Sequence, residues 1–260
     1  MGNKFDIAYV FMHIPKLLAC LNTTLTIVVL SMLIGLVFGM ATALPRLYKV
    51  PILKRFSEVY ISFFRGTPIL IQLFLIYYGL PQILLLVDID VSKAPVLAFV
   101  ILTYALNSGA FLSEAIRTAV LSVDRGQVEA AYSVGMTGYQ AFRRVVIPQA
   151  LAIAVPVFAN LVIANLKDTS LAFTLGVVEV TGKAQTLAQV TQHFIETYIA
   201  LALIYLVISL VLEKIFAMAE RRLLKYETGS EWGKKQFGRK RLLVDLIQPK
   251  FKLQKGGSRL

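Results

Sequence analysis

Charged side chains stand beside two of the long uncharged stretches of this sequence. Arg65 comes directly before Gly66-Thr67-Pro68, and Lys167-Asp168 comes directly before Thr169-Ser170. Cationic and anionic side chains can bind groups of opposite charge through strong, charge-assisted hydrogen bonds. Arg65, Thr67, Lys167, Asp168 and Ser170 are therefore candidates for contact with a charged solute, and pairing of Lys167 with Asp168 is the alternative interpretation.

Further polar residues lie inside the uncharged stretches themselves. Polar groups are costly in lipid, so within membrane helices they face the interior of the bundle or a water-filled cavity. Each of them could equally form a hydrogen bond between helices. The candidates are Gln72, Asn107, Ser108, Asn160 and Asn165.

Glu114 and Arg117 are spaced i and i+3, so on a helix their side chains are neighbours. They are expected to form a structural ion pair or a gate at the base of the helix that carries them.

The composition requires lipid as the solvent for the elements that position these residues. Of the 260 residues, 57% are hydrophobic and only 16% are charged. About 20 consecutive apolar residues cross the hydrocarbon core. The uncharged stretches predict an all-α integral membrane protein with five transmembrane helices, at about residues 17–44, 66–87, 94–113, 145–166 and 195–213.

Two glycine patterns bear on the predicted helices. Gly66-Thr67-Pro68 is expected to break its helix, because Gly and Pro both disfavour a helix interior, and the freed backbone groups then need partners. Gly35 and Gly39 form a G-x-x-x-G face that could pack closely against another helix.

The distribution of Lys and Arg predicts the orientation. With residues 1–16 outside and the segment 223–260 in the cytoplasm, 21 of the 27 Lys and Arg fall on the inner side and five on the outer side, as the positive-inside rule requires. The net charge of +12 is then a topology signal with a basic cytoplasmic tail, which could contact anionic lipid, and nucleic acid is not expected as a partner.

The most informative segment begins in the inner loop 114–144 and reads EAAYSVGMTGYQAFRRVVIP from Glu129 to Pro148. Glu129-Ala130-Ala131 favours a short helix, with Glu129 near its start, and Gly135 and Gly138 are expected to interrupt it. Short helices are marginal alone and become stable when docked on another protein. A plain surface helix is the alternative interpretation.

This spacing resembles the EAA loop of binding-protein-dependent ABC importers. FRGTP from Phe64 to Pro68 and LKDTSL from Leu166 to Leu171 resemble the polar amino-acid permeases of that class, in the histidine, glutamine, arginine and cystine branch. The overall sequence is most similar to the cystine permeases. The resemblance covers about residues 17–222. The one conservative departure is Val145-Val146-Ile147-Pro148, where the family more often has I-x-L-P.

The resemblance implies a type I importer transmembrane domain in the bacterial plasma (inner) membrane. Its partners would be a second permease chain, a dimer of cytoplasmic ATPase subunits, an external solute-binding protein and an amino-acid substrate. The residues expected to couple this chain to the ATPase are Glu129, Ala130, Ala131, Gly135 and Pro148.

Enzymatic function is not expected. The stretch from Gly176 to Ala184 departs from a phosphate-binding P-loop in its spacing and in having Ala184 where a hydroxyl is required. His13 and His193 are too far apart in sequence to form a local ligand motif, and no metal site is predicted. ATP and Mg²⁺ would bind the partner ATPase, and this chain would hold no cofactor. The alternative function is a small channel or secondary carrier that works without an ATPase.

Overall fold

The computed structural model describes residues 5–224, and all the regular secondary structure within that range is helical. The first α-helices are α1 (Ile7–Leu18), α2 (Leu21–Leu47), α3 (Pro51–Gly66), α4 (Ile69–Phe74), α5 (Leu80–Leu85) and α6 (Val96–Leu121). The remaining ones are α7 (Arg125–Ser133), α8 (Gly138–Ala141), α9 (Ile147–Asp168), α10 (Val180–Thr191) and α11 (Phe194–Leu224). Two π-helical turns, Leu75–Gly79 and Phe142–Val146, join α4 to α5 and α8 to α9, and a 3-10 helix, Thr169–Leu175, continues α9. The predicted basic tail lies outside the described residues, except where α11 ends at Leu224.

Four helical segments of the described chain are long and apolar enough to cross a membrane, and a bent pair of helices raises the number to five. The four are Leu21–Leu47, Val96–Leu121, Gly138–Leu175 and Phe194–Arg222, and the bent pair is Pro51–Gly66 with Ile69–Leu85. The all-helical membrane architecture predicted from the sequence is confirmed.

The helix bounds differ from the uncharged runs because a helix continues past a charged residue when that residue has a partner or reaches water. α6 extends to Leu121 and includes Glu114 and Arg117, and α11 extends to Leu224. Conversely, the first uncharged stretch, predicted as a helix at about residues 17–44, contains the end of a separate helix, α1. α1 begins after Asp6, whose carboxylate accepts a hydrogen bond from Ala8 N and caps the helix, and α2 begins only at Leu21.

The predicted break at Gly66-Thr67-Pro68 is confirmed. α3 and the helical segment Ile69–Leu85, which begins with α4, meet there at a bend of 114°. Thr67 is extended, with φ −117° and ψ 146°, because the residue before a proline is pushed out of the helical region.

α2 and α6 pack against each other through glycines. A Cβ atom on Gly35 would lie 2.9 Å from the carbonyl oxygen of Ala105, and one on Gly39 would lie 2.8 Å from Leu112 Cβ. The close helix contact expected of the G-x-x-x-G pattern is therefore present, and α6 supplies it.

Candidate functional site: coupling loop and membrane pathway

The loop between α6 and α9 presents a short helix, α7, that is exposed along most of its length. Glu129 and Ala130 are exposed, whereas Ala131 is buried. Val128 packs on an apolar cluster formed by Val123, Val146 and neighbouring residues of α6 and α9. α7 is therefore anchored on one face and open on the other, as a docking helix requires.

Two details of this loop differ from the sequence prediction. Glu129 lies in the middle of α7 and not at its start, because Asp124 caps the helix by accepting a hydrogen bond from Gly126 N at 2.6 Å. Gly138 does not interrupt a helix either. It begins α8, where the Thr137 side chain and Gln140 form a capping box.

Gly135 ends α7, as predicted. Its φ of +80° lies in the left-handed region, which glycine enters without steric cost. Its backbone N–H donates to Tyr132 O, and Met136 N–H donates to Ala131 O, which satisfies the last carbonyls of the helix. Pro148 is exposed and lies in the first turn of α9.

Glu114 joins two membrane helices near the end of α6. Arg46 Nη1 on α2 donates to Glu114 Oε2 at 2.8 Å, and Arg117 binds the other carboxylate oxygen. The ion pair predicted between Glu114 and Arg117 is present, but Arg46, which the sequence analysis did not single out, completes it. The carboxylate therefore fixes the end of α6 against α2.

The side chains of Gln72 and Asn107 donate hydrogen bonds to backbone carbonyls at the helix break between α3 and α4. In an unbroken helix the carbonyl of Phe64 would accept from the N–H of residue 68, but Pro68 has none. Gln72 Nε2 donates to Phe64 O at 2.9 Å and to Thr67 O at 2.9 Å, and Asn107 Nδ2 donates to Phe64 O at 3.2 Å. Gln72 is fully buried. Of the two interpretations of Gln72 and Asn107, this geometry favours the structural one.

Thr67 and Arg65 lie on either side of the same break. The Thr67 hydroxyl is bound by Gln72 Nε2 at 2.8 Å and itself donates to Phe63 O at 2.8 Å. Arg65 is exposed, and its guanidinium lies 5.5 Å from the centroid of the Phe111 ring. Arg65 is the more exposed of the two residues.

The polar residues of α9 and the turn after it divide into an inward and an outward group. Asn165 is buried, and its Nδ2 donates to Ser31 Oγ at 3.0 Å and to Ser108 Oγ at 2.9 Å, which ties α9 to α2 and α6. Asn160 and Lys167 are exposed, and seven residues separate them, so they share one face of the helix.

The predicted pairing of Lys167 with Asp168 does not occur. Within residues 5–224, no ion pair joins the two, and Lys167 is exposed. Adjacent residues on a helix point about 100° apart, which carries their side chains away from each other. Asp168 is half-buried, and its backbone carbonyl accepts a hydrogen bond from the Tyr104 hydroxyl at 2.5 Å. Ser170 is also half-buried, in the 3-10 helix.

The structure adds Glu179, a residue that the sequence analysis did not consider. It is fully buried and caps α10, accepting hydrogen bonds from Gly182 N and Thr181 N at 2.8 Å each. Burial raises the pKa of this carboxyl, while those backbone hydrogen bonds oppose the rise. An acidic residue three residues after Gly176 and directly before a helix was a detectable capping signal.

The chain matches the family of binding-protein-dependent transport system inner membrane components over residues 35–225. It is 48% identical over 228 residues to the L-cystine transport system permease protein TcyL of Bacillus subtilis, covering 88% of this chain and 95% of that protein. It is 44% identical over 222 residues to the probable amino-acid ABC transporter permease protein PatM of Vibrio harveyi, covering 85% and 97%.

Among solved structures, the chain resembles that of an amino acid ABC transporter crystallised with histidines. The TM-score is 0.75 at 34% identity, with 85% of this chain and all of that chain covered.

The chain therefore belongs to the family of inner membrane components of binding-protein-dependent transport systems. It is a multi-pass permease subunit with the transmembrane fold of a type I ABC importer. This membership favours the importer over the channel or carrier that the sequence left open.

Proposed function

We propose that this chain forms the membrane pathway of an ABC importer that takes up a polar amino acid, with cystine as the leading substrate. The 48% identity to a cystine permease supports cystine, and arginine, glutamine and histidine are the alternatives. The observation that carries the importer mechanism is α7, a short helix outside the predicted spans whose Glu129 and Ala130 face away from the chain.

The exposed face of α7 and the turn after it would dock the ATPase. Tyr132 is 53% exposed and Val134 is 75% exposed, and both lie outside the segments that qualify as spans. Apolar side chains grouped on a surface that faces water are typical of protein interfaces. The partner would be a dimer of cytoplasmic ATPase subunits that binds ATP and Mg²⁺, while this chain carries out no hydrolysis.

The outward polar face of α9 would meet a second permease chain across the pathway. An exposed amide at Asn160 and an exposed ammonium at Lys167 would be costly against lipid. A second copy of the chain, or a close relative, would cover this face and enclose water there. The exposed ammonium of Lys167 would then bind the carboxylate of the amino acid, and Arg65, also exposed, would offer a second cationic contact.

The distribution of Lys and Arg supports an N-terminus outside and a C-terminus in the cytoplasm. In this orientation α7 faces the ATPase, and an external solute-binding protein would deliver the amino acid at the opposite side.

Uptake by the complete transporter tests this function. The permease would be reconstituted in liposomes with its ATPase enclosed and its binding protein outside, and uptake of radiolabelled cystine would be followed with and without internal ATP. We expect accumulation of labelled cystine that depends on ATP. Unlabelled cystine should suppress this uptake more strongly than unlabelled arginine, glutamine or histidine does. ATP-dependent uptake of one of those three in place of cystine would overturn the substrate, and accumulation independent of ATP would overturn the importer mechanism.

A further inference from the structure

The two histidines of the chain meet around one tyrosine. His13 lies on α1, and His193 lies directly before α11. The Tyr9 ring stacks on the His193 ring, with 3.7 Å between ring centroids, and meets the His13 ring edge-on at 5.7 Å. His13 is fully buried and His193 is 6% exposed. We call Tyr9, His13, His193, Glu196 and Thr197 the histidine clasp.

The clasp holds α1 to α11 at two points. His13 Nδ1 lies 2.8 Å from Thr197 Oγ1 of α11. Glu196 Oε1 accepts a hydrogen bond from the backbone N–H of Asp6, the residue that caps α1, at 2.9 Å, and lies 3.0 Å from His193 Nδ1. Both contacts cross from the N-terminal helix to a membrane-spanning helix.

The hydrogen-bond pattern defines the neutral form of His13. The Thr197 hydroxyl donates its one proton to the backbone carbonyl of His193 at 2.7 Å, so it can only accept from His13. His13 Nδ1 must therefore carry a proton, and Nε2 is the unprotonated nitrogen of the neutral ring. His13 Nε2 is buried without a hydrogen-bond partner among residues 5–224. A second proton would place a buried N–H there with no acceptor, together with a positive charge.

The charges around His13 act in both directions. Burial has the largest effect and lowers the pKa of His13. The positive charge of Lys16 on the same helix and the charge of His193 lower this pKa further, whereas Glu196 raises it. Around α1, the apolar cluster that includes Val10 and Leu17 also contains parts of α2, α10 and α11. Its titratable members are Cys20 and Tyr205.

We propose that the histidine clasp is a pH-dependent contact between α1 and α11. It holds α1 against α11 while His13 is neutral and releases α1 when His13 is protonated. The direction of the pH dependence follows from comparing His13 in the released and in the clasped state. Released His13 binds a proton at about its ordinary pKa of 6.5, whereas clasped His13 binds it only at lower pH. Docking is thus complete above about pH 6.5 and weakens as the pH falls below that value. In the orientation proposed above, the clasp senses the pH outside the cell.

A distance measurement on the full chain in lipid nanodiscs tests the clasp directly. Spin labels would be placed by Phe11→Cys on α1 and Ile195→Cys on α11, both at exposed positions, in a Cys20→Ser background. We expect one narrow distance at about pH 8 and a reversible, broader and longer population that grows between about pH 6.5 and pH 5. A distance distribution that stays narrow to about pH 5 would overturn the proposal.

Two variants assign the response to His13. Gln at position 13 can donate to Thr197 and cannot be protonated in this range, so His13→Gln should keep the narrow distance at about pH 5. His193→Gln removes the other histidine of the clasp and should still show a pH response, because His13 and its contact with Thr197 remain. If His13→Gln still opens at low pH, another group is the sensor and the proposal is wrong.

A second measurement covers the case in which His13→Gln does not fold. In the His193→Gln chain, isotope labelling of histidine leaves one ring to follow by NMR, and we expect its pKa to lie below 6.5. A His13 pKa at or above that value would overturn the proposal. Neither measurement requires substrate, ATPase or binding protein. The proposal on the clasp can therefore be wrong while the proposed transport function is right, and the transport function can be wrong while the clasp is confirmed.

Discussion

Asn107 Nδ2 on α6 donates a hydrogen bond to Gln72 Oε1 on α4 at 2.9 Å. This bond connects the repaired helix break to a helix that packs on α2 and α9, so the bend at Thr67 is fixed by side chains 35 residues apart. The bend therefore belongs to the rigid part of the permease.

Replacement of Asn107 by Leu should destabilise the chain. The change removes two hydrogen bonds and leaves Gln72 Oε1 without its donor, at an expected cost of about 1–3 kcal/mol in the free energy of unfolding. Thermal unfolding in detergent, read by loss of the monodisperse peak after heating, measures the effect. Asn160→Leu is the control, because Asn160 is exposed and forms no hydrogen bond within residues 5–224. Equal losses in both variants would contradict the role of Asn107.

Replacement of Gly35 by Ala should also lower thermal stability. The added methyl would lie 2.9 Å from the Ala105 carbonyl oxygen and 3.1 Å from Ser108 Cβ, so α2 and α6 would have to separate. We expect a loss of about 1–3 kcal/mol, as for other overpacked sites. Gly79→Ala is the matched control. Its new methyl would meet no atom within 4 Å, so stability should hold or rise by about 0.5–1 kcal/mol. An unchanged Gly35→Ala chain would show that the two helices are not locked at this contact.

Lys167→Gln should weaken substrate binding and leave the fold intact. Loss of a charge-assisted hydrogen bond to the substrate carboxylate corresponds to roughly tenfold or more in apparent affinity. The measurement is the dependence of ATP-driven uptake on substrate concentration, alongside the thermal stability of the purified chain. Lys93→Gln, at an exposed position in the loop before α6, is the control and should transport like the unaltered chain. An unchanged affinity in Lys167→Gln would remove Lys167 from the pathway.

The helical spans, the break at Pro68 and the end of α7 at Gly135 could be predicted because their causes are local. Lipid excludes charge over about 20 residues, proline lacks an N–H, and glycine enters the left-handed region. The N-terminal bound of α7 was missed because Asp124, a short acceptor before the helix, is a stronger start signal than Glu129.

The remaining features depend on contacts between distant parts of the chain. Sequence spacing gave no reason to connect His13 with His193, yet Tyr9 brings their rings together. Arg46 joined Glu114 only through the packing of α2 on α6. Gln72 and Asn107 were recognised as costly polar residues, but the acceptor they share, the Phe64 carbonyl, becomes evident only once the helices are placed.

The most direct test of the proposed function is to measure whether α7 binds an ATPase subunit. The tagged chain would be purified from native membranes in mild detergent as the unaltered protein, as Glu129→Lys and as Gln127→Lys, a control that adds a lysine to another exposed face of α7. We predict that a nucleotide-binding ATPase accompanies the unaltered chain and the control and falls roughly tenfold in Glu129→Lys. Equal recovery of the ATPase in all three, or its absence from the unaltered chain under conditions that preserve known transporter complexes, would contradict the docking role of α7.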